Sequence, residues 1–504
     1  MDSQPSDSMW YRSTRASHDG NDPRPFSFED VLLMGFAPDG GMFLPAQLPS
    51  LDKDTIGRWS RLSYPDLVVA ISQLFISPTE IPHDHLSSLI HKALRTFQVP
   101  EVILKQQLSH DDKTIVLELF HGQTLAFKDL AMSCSAQLLQ YFLARERHHL
   151  NIIVSTSGDT GAAAMVAAAG SPNMDVTVLY PIGRVTQIQE LQMTTAAGRH
   201  ANLHLFGIEG TSDDGDEIIK DLFADKGFVR KNNLSILNSV NWCRIMIQIA
   251  HHFYAYFQAL KLVGMAEEQG VVVIVCPTGG GGNISAAVIA RAMGLAIRLV
   301  ACTNVNDFLC TMVEKGRLRT EGVAQHTLAS AMDIQLPYNI ERILYILADN
   351  NDKWKIADMM RRVERAEIVQ LPPTLFAKVK EALACHRSTD DDIVGTMKRC
   401  WREEGYHVCP HTATALDYHY QYPLVSFSTS QAAVARVCVS TASPVKFSEA
   451  LNAAGILIPS ETAQVVAELL KAPQKVTTLK GLSVKDVVPI IKETVEKITN
   501  ERSD

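Results

Sequence analysis

The chain has 504 residues, 46% of them hydrophobic, and a formal net charge of -8. That length suits about two to four domains with sizeable cores, and the acidic balance argues against broad electrostatic binding to nucleic acid or an anionic membrane while leaving room for a local basic pocket. No apolar run approaches the roughly 20 residues of a membrane helix. The early acids Asp2 and Asp7, with no apolar stretch behind them, speak against a secretory signal or a mitochondrial presequence and for a cytoplasmic protein.

The first hundred or so residues are punctuated by Pro23, Pro25, Pro38, Pro45 and Pro49 before a helical pattern around Tyr64 to Phe75. They predict a separate N-terminal layer. From Thr114 onward, apolar β-rich runs alternate with helix-period segments. TIVLEL, NIIVST, DVTVLYP, LHLFGIE, VVVIVC and IRLVACT are strand candidates, and Leu130 to Leu143, Ala162 to Ala169 and Trp242 to Leu262 carry helical signals. The alternation predicts an α/β fold, a parallel sheet covered by helices with ligand sites at the strand carboxyl ends. Residues 350–402 turn highly charged, with the triplet Asp390, Asp391 and Asp392, and read as a surface helical insertion. The tail after Leu470 is rich in Lys and Glu. Nine cysteines without paired CxxC spacing, Cys134, Cys243, Cys276 and Cys302 among them, read as reduced thiols with no metal site.

Three junctions between an apolar run and a helical one carry chemistry: HGQTLAFKDLA at His121 to Ala131, TSGDTG at Thr156 to Gly161 and PTGGGGN at Pro277 to Asn283. A lysine amine, with an ordinary pKa near ~10.4, is a poor nucleophile until desolvation or neighbouring charge lowers that value. Lys128, so activated, would form a Schiff base with an aldehyde. A glycine loop at a helix N-terminus offers backbone N–H groups and a positive dipole end to a phosphate, and glycines let the backbone approach an anion without Cβ clashes. Pyridoxal phosphate carries both an aldehyde and a phosphate, so Gly279, Gly280, Gly281, Gly282 and Asn283 are the phosphate candidates. No GK[ST] follows the loop, and Ile284 breaks the dinucleotide pattern. Taken alone, FKD would read as a solvent-facing lysine, the glycine run as a strand–helix turn and TSGDTG as an Asx turn.

Together with GRVTQIQELQMTT from Gly183 and NSVNWCRI from Asn238, these motifs resemble the threonine synthase family. MDIQLPYNIER, PHTA and STASPVKF extend the likeness toward the C-terminus, and WYRSTR at Trp10 to Arg15 with DGGMFLP at Asp39 to Pro45 carry it to the beginning, so it covers nearly the whole chain. The likeness is closer to the threonine synthase-like 2 branch, whose members are read as phospho-lyases. The resemblance implies a tryptophan synthase β-like (fold type II) enzyme: an N-terminal domain over residues 1–105, a large cofactor-binding domain over 106–130 and 215–470 that includes the insertion, a small domain over 131–214 and a tail over 471–504.

The resemblance also implies roles. Asp159 would face the cofactor's 3'-oxygen, and Thr441 would hydrogen-bond the pyridine nitrogen. Ser155, Thr156, Ser157 and Thr160 would grip the substrate α-carboxylate. Arg184 and Arg244 would hold the substrate phosphate through bidentate hydrogen bonds, although either also reads as a structural ion-pair residue. His121 would assist proton transfer or, more plainly, be a buried and satisfied histidine.

Some positions depart from the biosynthetic pattern: Gly280 and Gly281 replace the asparagine and aromatic residue of PSGNFGN, Ser443 replaces the histidine of TAHPAKF, and Cys409 replaces the aspartate of DPHTA. All resemble the phospho-lyase branch. The expectation is a catabolic lyase that removes phosphate from O-phosphothreonine and O-phosphohomoserine through a lysine Schiff base, giving 2-oxobutyrate and ammonia. The alternatives are a true threonine synthase, a dehydratase of unphosphorylated serine or threonine and, from another class, a catalytically silent homologue with a binding or regulatory role. The expected partner is a small phosphorylated amino acid, and enzymes of this fold often form homodimers.

Overall fold

The computed structural model describes residues 9–16, 25–265, 270–320, 322–424 and 433–503; Asp2, Asp7 and Pro23 lie outside these ranges. The strands, in chain order, are β1 (Tyr11–Ser13), β2 (Phe43–Pro45), β3 (Leu104–Gln107), β4 (Thr114–Glu118), β5 (Leu150–Ser155), β6 (Met174–Pro181), β7 (Leu203–Ile208) and β8 (Leu234–Ile236). They continue as β9 (Val271–Pro277), β10 (Ile297–Thr303), β11 (Arg317–Leu318), β12 (Val369–Gln370), β13 (Leu383–Arg387), β14 (Ala433–Ser440) and β15 (Thr477–Leu479).

Two sheets organise them. The larger has six strands in the order β13-β10-β9-β14-β4-β3, parallel except for the antiparallel edge strand β3. The smaller has five strands, β15-β7-β6-β5-β8, parallel throughout. The six strand candidates are β4, β5, β6, β7, β9 and β10, almost wholly buried, which is why unbroken apolar runs rather than alternation marked them. The central strand β14 escaped notice because Arg436 interrupts it. That guanidinium is buried and donates to the Tyr422 carbonyl at 2.7 Å and the His419 carbonyl at 3.2 Å.

The helix Trp242–Leu262 is apolar nearly all round, as a helix at the centre of a large core must be, and packs on β9, β14 and the helix Lys128–Glu146. The N-terminal segment wraps onto it. Tyr11 and Phe75 meet the Trp242 ring edge-on at 6.0 and 5.4 Å, and Arg15 pairs with Glu341 at 2.7 Å and Glu364 at 2.6 Å.

The stretch 350–402 is helical over Lys353–Glu364, Pro373–Ala382 and most of Asp390–Glu404, and it also supplies β13 to the edge of the large sheet. Here the reading of all cysteines as reduced thiols needs correcting. Cys385 on β13 forms a disulfide with Cys310, because β13 lies beside β10 and the helix Phe308–Lys315 that follows it, with Cα atoms 5.3 Å apart. Cys134, Cys243, Cys276 and Cys302 are free and buried. The tail docks: β15 extends the small sheet, and the helix Val484–Ser503 buries Val487, Ile491 and Val495 against the helix Ser212–Ala224. The small sheet thus draws β8 and β15 from outside residues 131–214. Among the described residues, no helix is long and apolar enough to cross a membrane.

Candidate active site

Residues at the carboxyl ends of β5, β9 and β14 line one cavity of about 130 Å³, between the two sheets' contributions. Ser155, Thr156, Ser157 and Thr160 come from the β5 end, Pro277 to Asn283 from the β9 end, and Thr441 follows β14. Lys128 opens the helix Lys128–Glu146 on the same wall. Its loop is tied to the segment after β14: the Phe127 N–H donates to the Thr441 carbonyl at 2.8 Å and the Ser443 N–H to the Leu125 carbonyl at 3.0 Å. The buried Asp129 accepts from the Thr124 N–H and hydroxyl at 2.8 and 2.6 Å.

The glycine loop ends at Gly281, whose φ of 77° lies in the left-handed region, where a side chain would be strained. The helix Gly282–Ala292 then starts at the cavity, so its first N–H groups and positive dipole end are offered to a bound anion. Asn283 is held from behind. Its Oδ1 accepts from His251 Nε2 at 2.7 Å and His252 Nε2 at 2.9 Å, while its buried Nδ2 makes no hydrogen bond among the described residues.

A charge cluster forms the floor. Asp159 Oδ2 lies 3.0 Å from Lys128 Nζ, and Oδ1 accepts from Lys446 Nζ at 2.8 Å and Gln189 Nε2 at 2.9 Å. Lys446 is fully buried and also donates to the Thr124 carbonyl at 2.8 Å. Burial alone would raise the Asp159 pKa, but Lys128 and Lys446 outweigh it and hold the carboxyl well below the ordinary range. Burial lowers the pKa of Lys128 despite the pull of Asp159, so its amine loses a proton more readily than a surface lysine does. Beside them, His411 Nε2 accepts the Ala331 N–H at 3.1 Å, and burial pushes its pKa down to about 3; the ring is neutral.

Arg244, at the mouth, is 2% exposed. One guanidinium nitrogen donates to the Leu237 carbonyl at 3.0 Å, whereas Nε makes no hydrogen bond among the described residues. Burial pushes its pKa down to about 10, which leaves it cationic at neutral pH. Asn238, Ser239, Ser212, Asp216 and Gln248 complete this part of the wall.

The structure therefore gathers all but three of the residues given a role from sequence on the cavity surface. Asp159 lies just beneath it, against Lys128. Arg184 does not join: it sits in the turn after β6, half-buried, outside the cavity lining. Its motif GRVTQIQ instead contributes Gln189 to the floor. His121 pairs with Glu118 at 2.8 Å and is likewise outside the lining. Sequence reasoning passed over Lys446, Gln189, His411 and Asp216. Lys446 had a usable signal, a lysine placed between Val445 and Phe447 with a buried carboxylate to find. A larger cavity of about 720 Å³, lined mainly by apolar side chains, shares Tyr338 with this one but holds none of the candidate residues.

Comparison with known proteins identifies the family. Residues 10–94 match the family description "Threonine synthase N terminus", residues 102–377 "Pyridoxal-phosphate dependent enzyme" and residues 422–491 "Threonine synthase, C-terminal". The chain belongs to the threonine synthase family. It is 44% identical over 491 residues to threonine synthase-like 2 of Rattus norvegicus, covering 97% of this chain and 98% of that one. The structure of pyridoxal phosphate-bound threonine synthase from Brucella melitensis superposes with a TM-score of 0.83 at 34% identity, covering 97% of this chain and 99% of that one. Yeast threonine synthase superposes with a TM-score of 0.84 at 32% identity over 98% and 100%. The fold is that of the fold type II enzymes, the cofactor is pyridoxal phosphate, and the protein is a pyridoxal phosphate-dependent lyase related to threonine synthase. The residues present fit that cofactor: an amide-lined loop for its phosphate, a desolvated amine for its aldehyde, and the unpaired Asn283 Nδ2 at the loop.

Proposed function

We propose that this enzyme is a phospho-lyase that releases inorganic phosphate, 2-oxobutyrate and ammonia from O-phosphothreonine and O-phosphohomoserine. The observation that carries the reading is that the Gly279–Asn283 loop and the buried Arg244, whose Nε has no partner among the described residues, line the same cavity. One suits the cofactor phosphate and the other the phosphate of a substrate.

Bound pyridoxal phosphate supplies the electron sink that makes a proton at the substrate Cα removable. Lys128 would hold the cofactor through its aldehyde, and its amine, once free, would take that proton as base. Lys446, paired with Asp159 independently of Lys128, would hold the Asp159 charge in place. Gly279 to Gly282 and Asn283 would hold the cofactor phosphate, and the Thr441 hydroxyl would be a partner for the pyridine nitrogen. Thr156 Oγ1 accepts the Gly158 and Gly161 N–H groups at 3.0 and 2.9 Å, and the Ser155 hydroxyl donates to the Ser212 carbonyl at 3.1 Å. Those two shape the loop, and Ser157, Thr160 and the loop amides take the α-carboxylate. Loss of phosphate from Cβ needs only the Cα proton removed, whereas loss from Cγ needs a second proton taken at Cβ.

Gly280 and Gly281 favour a lyase over a synthase. They leave the wall beside Ser239 and Asn339 without side chains, where a synthase must direct water to one carbon. The test is to give the cofactor-loaded protein each substrate and quantify phosphate, 2-oxobutyrate and threonine together. Phosphate with 2-oxobutyrate and no threonine is the expected result. Threonine from O-phosphohomoserine would make it a synthase, and no phosphate from either would remove the phospho-lyase reading.

A further inference from the structure

One carboxyl on the cavity wall has no part in the roles above. Asp216 lies on the helix Ser212–Ala224, which is fixed at its start by reciprocal hydrogen bonds between Thr211 and Asp214. The helix reaches the cavity because Gly215 has no Cβ: one added there would come within 2.5 Å of Ser155 Oγ. Ser155, Asp216, Asn238 and Arg244 consequently share one wall. Asn238 Nδ2 donates to Asp216 Oδ1 at a long 3.3 Å, and the Ser155 side chain is a second hydrogen-bond partner of the carboxyl.

The surroundings keep this carboxyl unlike the one on the floor. No lysine pairs with it; Lys220, one turn along the helix, stands over the Tyr338 ring at 4.7 Å. Asp213 lies on the same helix, Tyr338 faces it from the loop before Ile340, and Arg244, Lys128 and His411 line the cavity it opens into. Burial first and Asp213 second push its pKa up, against Lys220 and the Ser155 hydrogen bond, to about 7. An ionised carboxylate at this wall would repel a phosphate, whereas the protonated form donates to one.

We propose that Asp216 is the general acid that gives its proton to the departing phosphate. This rests on the phospho-lyase reading. A phosphate ester that leaves fully ionised must depart as a trianion, so its expulsion calls for a proton. As Lys128 removes the proton at Cα of a β-phosphorylated substrate, that electron pair forms the Cα–Cβ double bond, and the Cβ–O bonding pair passes to the ester oxygen. That oxygen takes the Asp216 proton, and hydrogen phosphate leaves. The Asp216 carboxylate regains a proton from water before the next turnover.

The test compares the wild type, Asp216→Asn and Asp216→Glu on O-phosphothreonine and on β-chloroalanine, whose chloride leaves without a proton, between pH 6 and 9. The wild-type kcat/KM for O-phosphothreonine should fall as pH rises past about 7. Asp216→Asn should lose that limb and about 10²–10⁴-fold in rate on the phosphate ester, the usual worth of a general acid, with a much smaller loss on β-chloroalanine. Asp216→Glu should regain part of the rate together with the limb. Equal losses on both substrates, or undiminished phosphate release by Asp216→Asn, would overturn the role of Asp216 alone. A wild type that releases no phosphate from either phosphoamino acid would overturn the underlying reading instead.

Discussion

The floor of the cavity and its mouth are built from the same kinds of side chain but satisfied to different degrees. On the floor, Asp159 has Lys128 on one oxygen and Lys446 with Gln189 on the other. At the mouth, Arg244 has one main-chain acceptor and, among the described residues, no partner on Nε, and Asp216 has a long contact to Asn238 and a hydrogen bond with Ser155. A buried charge without partners is costly, so the floor's saturation marks a fixed electrostatic frame. The mouth's unused hydrogen-bonding capacity fits groups that a substrate completes only while it is bound.

Replacing Lys128 with alanine should abolish phosphate release, a loss of about 10³-fold or more for a residue that is both attachment point and base. A variant with near wild-type turnover would place the chemistry elsewhere. Lys446→Met removes one partner of a buried ion cluster, so urea unfolding of the apoprotein should show a loss of about 3–5 kcal/mol; a loss within experimental error would mean that the floor is not saturated by that lysine. Arg244→Met should act on the mouth alone. Loss of a charged hydrogen bond, about 1.5–3 kcal/mol, should appear as a raised KM for the phosphorylated substrate with cofactor absorption unchanged. An unaltered KM would separate Arg244 from substrate binding.

The smallest effect expected is a pH dependence. His411 has a folded-state pKa of about 3 against an ordinary 6.5, so the unfolded chain binds its proton first and stability falls as pH drops below about 6.5. The slope for one such group is about 1.4 kcal/mol per pH unit. The stability difference between wild type and His411→Asn, from urea unfolding at pH 6.5 and 5.5, should shrink by about 1 kcal/mol toward the lower pH, since the unfolded histidine is already half protonated at pH 6.5. A constant difference would mean that the ring is already protonated in the native state.

How far the sequence disclosed these regions follows from what each depends on. The strands β4, β5, β6, β7, β9 and β10 were legible because strands covered on both faces carry continuous apolar runs. The glycine loop and Lys128 were legible because their chemistry is local, a backbone that approaches an anion and a lysine at a strand–helix junction. Lys446 was not, because its carboxylate partner is 287 positions away. The Cys310–Cys385 bond spans 75 positions and depends on β13 pairing with β10. Arg184 and Arg244 carry the same chemical signature, and only packing separates the one in a turn from the one on the cavity wall. Asp216 lies in an acidic run at a helix start, which reads as ordinary capping until Gly215 and Ser155 are seen in contact.

Lys128 and Lys446 both touch Asp159, so the most direct test of the proposed site asks which lysine carries the cofactor. The pyridoxal phosphate-loaded protein would be reduced with borohydride, digested and mapped by mass spectrometry. The reduced pyridoxyl group is predicted on Lys128, whose amine opens to the cavity, with Lys446 unmodified beneath it. Modification of Lys446, or a spread over surface lysines with Lys128 intact, would contradict the account.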